Sequence, residues 1–143
     1  MNIVWQLNPD DRLKEWRSFR NDLKTLTLQK QLEEVVSWWK FTPLGSNQLD
    51  IYDNTDWDDP WELLYKGNFD ENSVALGMAY SLHLIGVDTE ILLVQNRQEH
   101  TLNLIVLVDE LYILNYTYGS IDKVDVLKDC EILQRWPTKN LLK

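Results

Sequence analysis

Residues 71–94 read ENSVALGMAYSLHLIGVDTEILLV, and a change of rhythm inside them decides the fold. As far as Ile85 the small and apolar residues recur at helical spacing. Ala75, Met78, Ala79, Leu82 and Ile85 fall on one face, and Val74, Gly77, Ser81 and Leu84 make most of the other. A helix that is apolar or small on both faces must be covered on both. Gly86 stands where a left-handed residue ends a helix, and Val87–Val94 beyond it reads as a strand.

Downstream the strand rhythm continues. Asn96-Arg97-Gln98 marks a turn, Thr101–Val108 a second strand, Asp109-Glu110 a tight turn and Leu111–Tyr116 a third strand. After the break at Gly119-Ser120, Val124–Leu127 and Glu131–Trp136 read as further strands, ending at Pro137. Upstream, Asn8-Pro9 and two acids precede Leu13, Trp16, Phe19, Leu23 and Leu26 at helical spacing, with the acids where the helix dipole favours them. A second helix covers about Leu28 to Phe41, and Pro60 opens a short helical turn. The expected architecture is α+β: one domain over 1–143, with N-terminal helices and a buried central helix packed on an antiparallel meander of four or five strands.

The chain has 14 Lys plus Arg against 23 Asp plus Glu, a net charge of −9, and a hydrophobic share of 44% that suffices for a core. Such a surface argues against nucleic acid and against anionic membranes as partners, and favours a basic protein or peptide. The start MNIVWQLNPDDR lacks the pattern of a secretion signal, no apolar run is long enough to span a bilayer, and the one cysteine, Cys130, cannot form an internal disulfide. The expectation is a cytoplasmic protein. The five isolated glycines form no phosphate cradle, so no cofactor is expected.

Three positions could be joined by chemistry: the start of the buried helix, His100 opening the second strand, and Asn115 ending the third. A helix N-terminus activates a nucleophile and offers N–H groups to an oxyanion. An imidazole on a neighbouring strand can act as base, and an amide or carboxylate on the next can orient it. Read alone, His100 after a polar turn more simply caps a strand, and Asn115 could be a plain turn or edge residue. A simple two-residue turn at 109–110 leaves the two offset by about four positions along the ladder.

Residues Gly67–Val94 (GNFDENSVALGMAYSLHLIGVDTEILLV) and His100–Thr117 (HTLNLIVLVDELYILNYT) together resemble the transglutaminase-like branch of the papain-like cysteine peptidase superfamily. In that family a Gly-x-Cys turn opens a buried helix, the catalytic His begins a following strand, and an Asp in a Leu-Asp-Pro-Thr-like stretch ends the hairpin. Ala75, Leu82, Gly86, Val87, His100 and Leu114-Asn115-Tyr116-Thr117 fall at matching places. The resemblance implies the fold and a His100–Asn115 remnant of the site, but it sets Glu71 where the nucleophilic Cys belongs. Glutamate suits the first turn of a helix and is a poor acyl-transfer nucleophile.

The expected function is therefore that of a degenerate transglutaminase-like protein, binding a peptide or partner in the cleft between the buried helix and the His100 hairpin. The alternative is an active amide-bond hydrolase or acyl transferase with an atypical nucleophile. A third reading, a small acidic interaction protein of unrelated α+β fold, would separate residue 71 from His100. Ser73 is the candidate substitute nucleophile, but at 100° per residue it should face about 200° away from Glu71. Cys130 reads as a buried, inert thiol, and His83 as a surface or packing residue. Asp50, Asp53, Asp56, Asp58 and Asp59 lack the glycine and final glutamate of a calcium loop, so no metal is expected there. Trp57 and Trp61 bracket Asp58-Asp59-Pro60 and could form an aromatic lip for a partner.

Overall fold

The computed structural model describes residues 3–45 and 48–142. Helices α1 (Pro9–Leu23), α2 (Leu28–Lys40), α3 (Pro60–Lys66) and α4 (Glu71–His83) precede strands β1 (Thr89–Asn96), β2 (Leu102–Val108), β3 (Tyr112–Leu114), β4 (Ile121–Lys123) and β5 (Cys130–Pro137). Local chemistry starts each helix. Asn8 accepts the Asp11 N–H with Pro9 at the first position of α1, and Thr27 caps α2. Asp59 and Glu62 form a reciprocal capping box at α3, and Asp70 accepts the Ser73 N–H of α4. Gly86, at φ +91°, makes the left-handed exit from α4 that its position in the sequence requires.

Every residue of α4 from Ser73 to Leu82 is buried, as a helix apolar on both faces must be. Small residues admit its neighbours: a Cβ on Gly77 would lie 2.5 Å from ring carbons of Trp39 on α2. The Ser81 hydroxyl accepts the indole N–H groups of Trp16 (3.0 Å) and Trp39 (2.9 Å) and donates to the Gly77 carbonyl (2.8 Å), so one buried oxygen ties α1, α2 and α4. Two buried indoles thereby keep a hydrogen bond they would otherwise lose on leaving water.

The sheet runs β4-β3-β2-β1-β5, antiparallel throughout. Ile91, Leu93, Leu104, Val106, Val108 and Leu114 join the core with the helices. On the opposite face Leu92, Val94, Ile105, Leu107, Ile113 and Cys130 form a smaller cluster. Residues Val124–Asp129, part of which reads as a strand in the sequence, are a 3-10 turn that lays Val124, Val126 and Leu127 over that cluster. The strand before the turn is instead Ile121–Lys123, too short for an alternating pattern to show. Edge strand β5 is broken by a register shift near Leu133 and ends in Pro137, which blunts it against pairing with another chain.

Candidate functional site

The N-terminus of α4, the exposed edge of β2 and the turn after β3 enclose a cleft of about 500 Å³. It exists because β3 stops at Leu114 while β2 extends back to Leu102. Leu114 pairs with Val106, so residues 102–105 of β2 have no strand partner on this edge.

Asn115 and Glu71 meet in this cleft. Asn115 sits at φ +67°, a left-handed conformation that Asn tolerates better than most residues, and is nearly buried. Its Nδ2 donates to the Glu71 carbonyl at 3.1 Å, and its Oδ1 accepts the Gly119 N–H at 3.0 Å. The Glu71 side chain itself is exposed. Beside it, Asn72 Oδ1 accepts the Leu104 N–H of β2 at 3.0 Å, capping the open edge. The corner between helix and hairpin is thus closed by two asparagine amides.

His100 lies elsewhere. The Asn96 side chain accepts the N–H groups of Gln98 and Glu99, and the His100 N–H donates to the Asn96 carbonyl at 2.8 Å, which builds a compact turn. His100 ends that turn at φ +59°, exposed, outside the residues that line the cleft. Continuing the β2–β3 register sets Ile105 opposite Asn115, so His100 lies five residues before the position that faces Asn115. Among the described residues its imidazole has no hydrogen-bond partner. His83 ends α4 at the opposite pole of the helix from Glu71.

The rest of the cleft is polar and carries two carboxylates, Glu71 and Glu99, with Asn96, Thr101, Asn103, Tyr116, Thr117 and Tyr118; no Lys or Arg lines it. Tyr118 donates to the Lys40 carbonyl at 2.8 Å, and burial, then the Glu71 carboxylate, push its pKa up. Cys130 reaches the far wall, buried, with Sγ 3.9 Å from the Tyr116 hydroxyl. It belongs to β5, two strands from β2. Asn72 and Asn103 are absent from the sequence-based candidates. Their signals were a second polar residue in the first turn of α4 and one amide inside the apolar run LNLIVLV.

Ser73 is buried and opens on a different hollow, beside Trp57, Phe69 and Asp58, in keeping with its angle from Glu71. Trp57 and Trp61 do not form one lip. Trp57 is buried, donates to the Asp50 carbonyl and packs on Trp136 at 4.7 Å. Trp61 is exposed on α3 against Trp16. Neither lines the cleft. Of the loop acids, Asp50 and Asp53 accept nearby backbone N–H groups, Asp58 pairs with Lys66 at 2.8 Å and Asp59 caps α3. The Thr55 hydroxyl and N–H hold the Asp53 pKa down. Among the described residues no three acids, imidazoles or thiols converge as a cation site.

Neither a protein-family model nor a curated protein matches this chain. Solved structures do. The calcium-bound form of Legionella pneumophila LapG superposes with a TM-score of 0.73 at 19% identity, over 93% of this chain and 81% of that one. The EGTA-treated form gives 0.70 at 18% identity, over 96% and 83%. The helices and the five-stranded antiparallel sheet match the transglutaminase-like core of LapG, and at this identity the likeness establishes the fold.

Proposed function

We propose that this chain is a non-catalytic transglutaminase-like module that binds a peptide or protein segment in the cleft at the N-terminus of α4. The observation that carries the reading is the Asn115–Glu71 contact with its neighbour Asn72–Leu104. Acyl transfer in such a corner needs a nucleophile, a base within hydrogen-bond reach of it and an orienting group. Here a carboxylate side chain and two amides occupy the corner, and both imidazoles lie outside the cleft lining. Glu71 and Glu99, in a lining that holds no Lys or Arg, favour a segment carrying a lysine or arginine. The calcium named for one LapG structure is not carried over, because the described residues offer no acidic cluster for it.

Panning a displayed peptide library on the full chain, then mapping the best binder by amide chemical shifts, tests the proposal. Basic peptides should perturb Asn72, Asn103 and Thr117 and lose most of their affinity on Glu71→Lys. Footprints confined to other surfaces, or enrichment of acidic peptides in the cleft, would overturn it.

A further inference from the structure

Away from the cleft, α1 presents a stripe of cations. Lys14, Arg17, Arg20 and Lys24 share one side with Ser18 and Asn21, forming a shallow hollow. At 100° per residue, Asp11, Glu15 and Asp22 project from another side of the same helix. Asp10, one turn above Lys14, makes no ion pair with it. Among the described residues the ion pairs are Lys30–Glu33, Lys66–Asp58 and Arg135–Glu90, so none of these four cations is paired. In a chain with 23 acids, four adjacent unpaired cations are a local exception. Like charges crowded together oppose one another: burial, then Arg17, lower the Arg20 pKa.

Arg20 is also held in place. Its guanidinium carbon lies 4.2 Å from the Trp16 ring centre and 5.8 Å from that of Trp61, and its Nε is buried without a hydrogen-bond partner. The group is stacked and oriented before any ligand arrives, which lowers the ordering cost of binding. Alongside it, Trp61 and Tyr65 are 47% and 64% exposed and border an apolar groove with Leu13. The neighbouring charges at that groove are engaged: Glu62 accepts the Asp59 N–H and Lys66 pairs with Asp58.

From the unpaired stripe and the exposed aromatics beside it we infer a second, independent docking surface on α1 and α3. It takes an acidic segment of a partner protein, with carboxylates on Arg17, Arg20 and Lys24 and an apolar side chain on Trp61 and Tyr65. Exposed Trp and Tyr beside Arg is the composition in which binding energy concentrates at protein interfaces. A net charge of −9 works against long anionic polymers and anionic bilayers, whose fields act over the whole molecule. A short segment meets mainly the local cations.

The test titrates the isotope-labelled full chain with a synthetic heptapeptide of glutamates around a central leucine. The same peptide with glutamine for glutamate, a thymidine oligonucleotide and phosphatidylserine-containing vesicles serve as comparisons. Saturable shifts should appear at the Trp61 indole N–H and at Arg17, Arg20 and Lys24, and weaken with salt. Affinity should fall about tenfold in Arg17→Glu/Lys24→Glu, as expected for lost charge pairs. Both residues are exposed, so the variant should melt with the parent, and Lys14→Glu provides a second check in the same direction. Absence of saturable shifts, equal binding of the glutamine peptide, or tighter binding to oligonucleotide or vesicles would overturn the inference.

Discussion

The Nδ2 of Asn115 donates to the main-chain carbonyl of Glu71 at 3.1 Å, joining the turn after β3 to the first residue of α4. The same side chain accepts the Gly119 N–H, so one amide fixes both the turn and the helix start. Aspartate can keep the second bond but not the first, because a carboxylate cannot donate and would face a carbonyl oxygen. Asn115→Asp should therefore cost about 1–3 kcal/mol, the range for a buried acceptor left against an unsuitable partner. Asn115→Ala should cost at least as much, since it loses both bonds and holds φ at +67°. Urea unfolding of the two variants checks this. A neutral Asn115→Asp result would mean that the amide does not hold the corner shut.

Ser81 supplies the next expectation. Its hydroxyl serves the buried indoles of Trp16 and Trp39, and among the described residues neither indole N–H has another partner. Ser81→Ala leaves two donors unsatisfied in the core, so a loss of about 2–6 kcal/mol is expected from roughly 1–3 kcal/mol for each. Thermal and urea unfolding measure it. A loss under about 0.5 kcal/mol, the level of a surface substitution, would contradict the hub.

Two glycines of the decisive stretch should behave alike for different reasons. Gly77→Ala would gain about 1 kcal/mol from helix propensity alone, but its Cβ would meet the Trp39 ring at 2.5 Å. Overpacking should reverse the sign to a net loss of about 1–3 kcal/mol. Gly86→Ala meets nothing within 4 Å, and its expected cost of about 1 kcal/mol or more comes from φ +91°. Stability curves for both variants decide the point, and a stabilised Gly77→Ala would show that α2 and α4 pack less closely than described.

These residues also mark how much of the fold the sequence carried. Helix α4, its end at Gly86 and strands β1 and β2 were legible because long stretches keep one period, 3.6 or near 2. Strands of three residues have no period to read, so β4 went unseen and the apolar Val124–Leu127 looked like a strand when it is a cover for the outer face. The order of elements picked out the start of α4 and Asn115 as candidates for one corner, but not the amide-to-carbonyl bond that joins them. The place of His100 was not, because it depends on Asn96 curling the β1–β2 connection into a self-contained turn. Two side-chain bonds to backbone N–H groups decide that, and no spacing rule anticipates them.

Alkaline pH offers a further check on the core. Tyr80 is enclosed, donates to the Asp58 carbonyl at 2.8 Å and faces Asp58, Asp59 and Glu62; burial first, then these acids, raise its pKa far above the ordinary value near 10. The unfolded chain therefore loses this proton at a pH where the folded protein keeps it. Stability is fully present below about pH 10 and falls as pH rises above it. Tyr118, raised in the same direction, adds to the slope. Tyr80→Phe should lower stability by about 1 kcal/mol near neutrality and flatten the decline between about pH 10 and 12. Equal slopes in parent and variant would remove Tyr80 as the cause.

The claim that the cleft corner lacks an acyl-transfer machine is tested most directly by covalent labelling. The folded chain is treated with thiol- and hydroxyl-directed active-site probes, and the adducts are located by intact and peptide mass spectrometry in the parent and in His100→Ala. The account predicts no adduct at Ser73 or at any other residue of the α4 N-terminus, and labelling of Cys130 only when the protein is unfolded. A stoichiometric adduct on the folded parent that disappears in His100→Ala would contradict it and make the chain an enzyme.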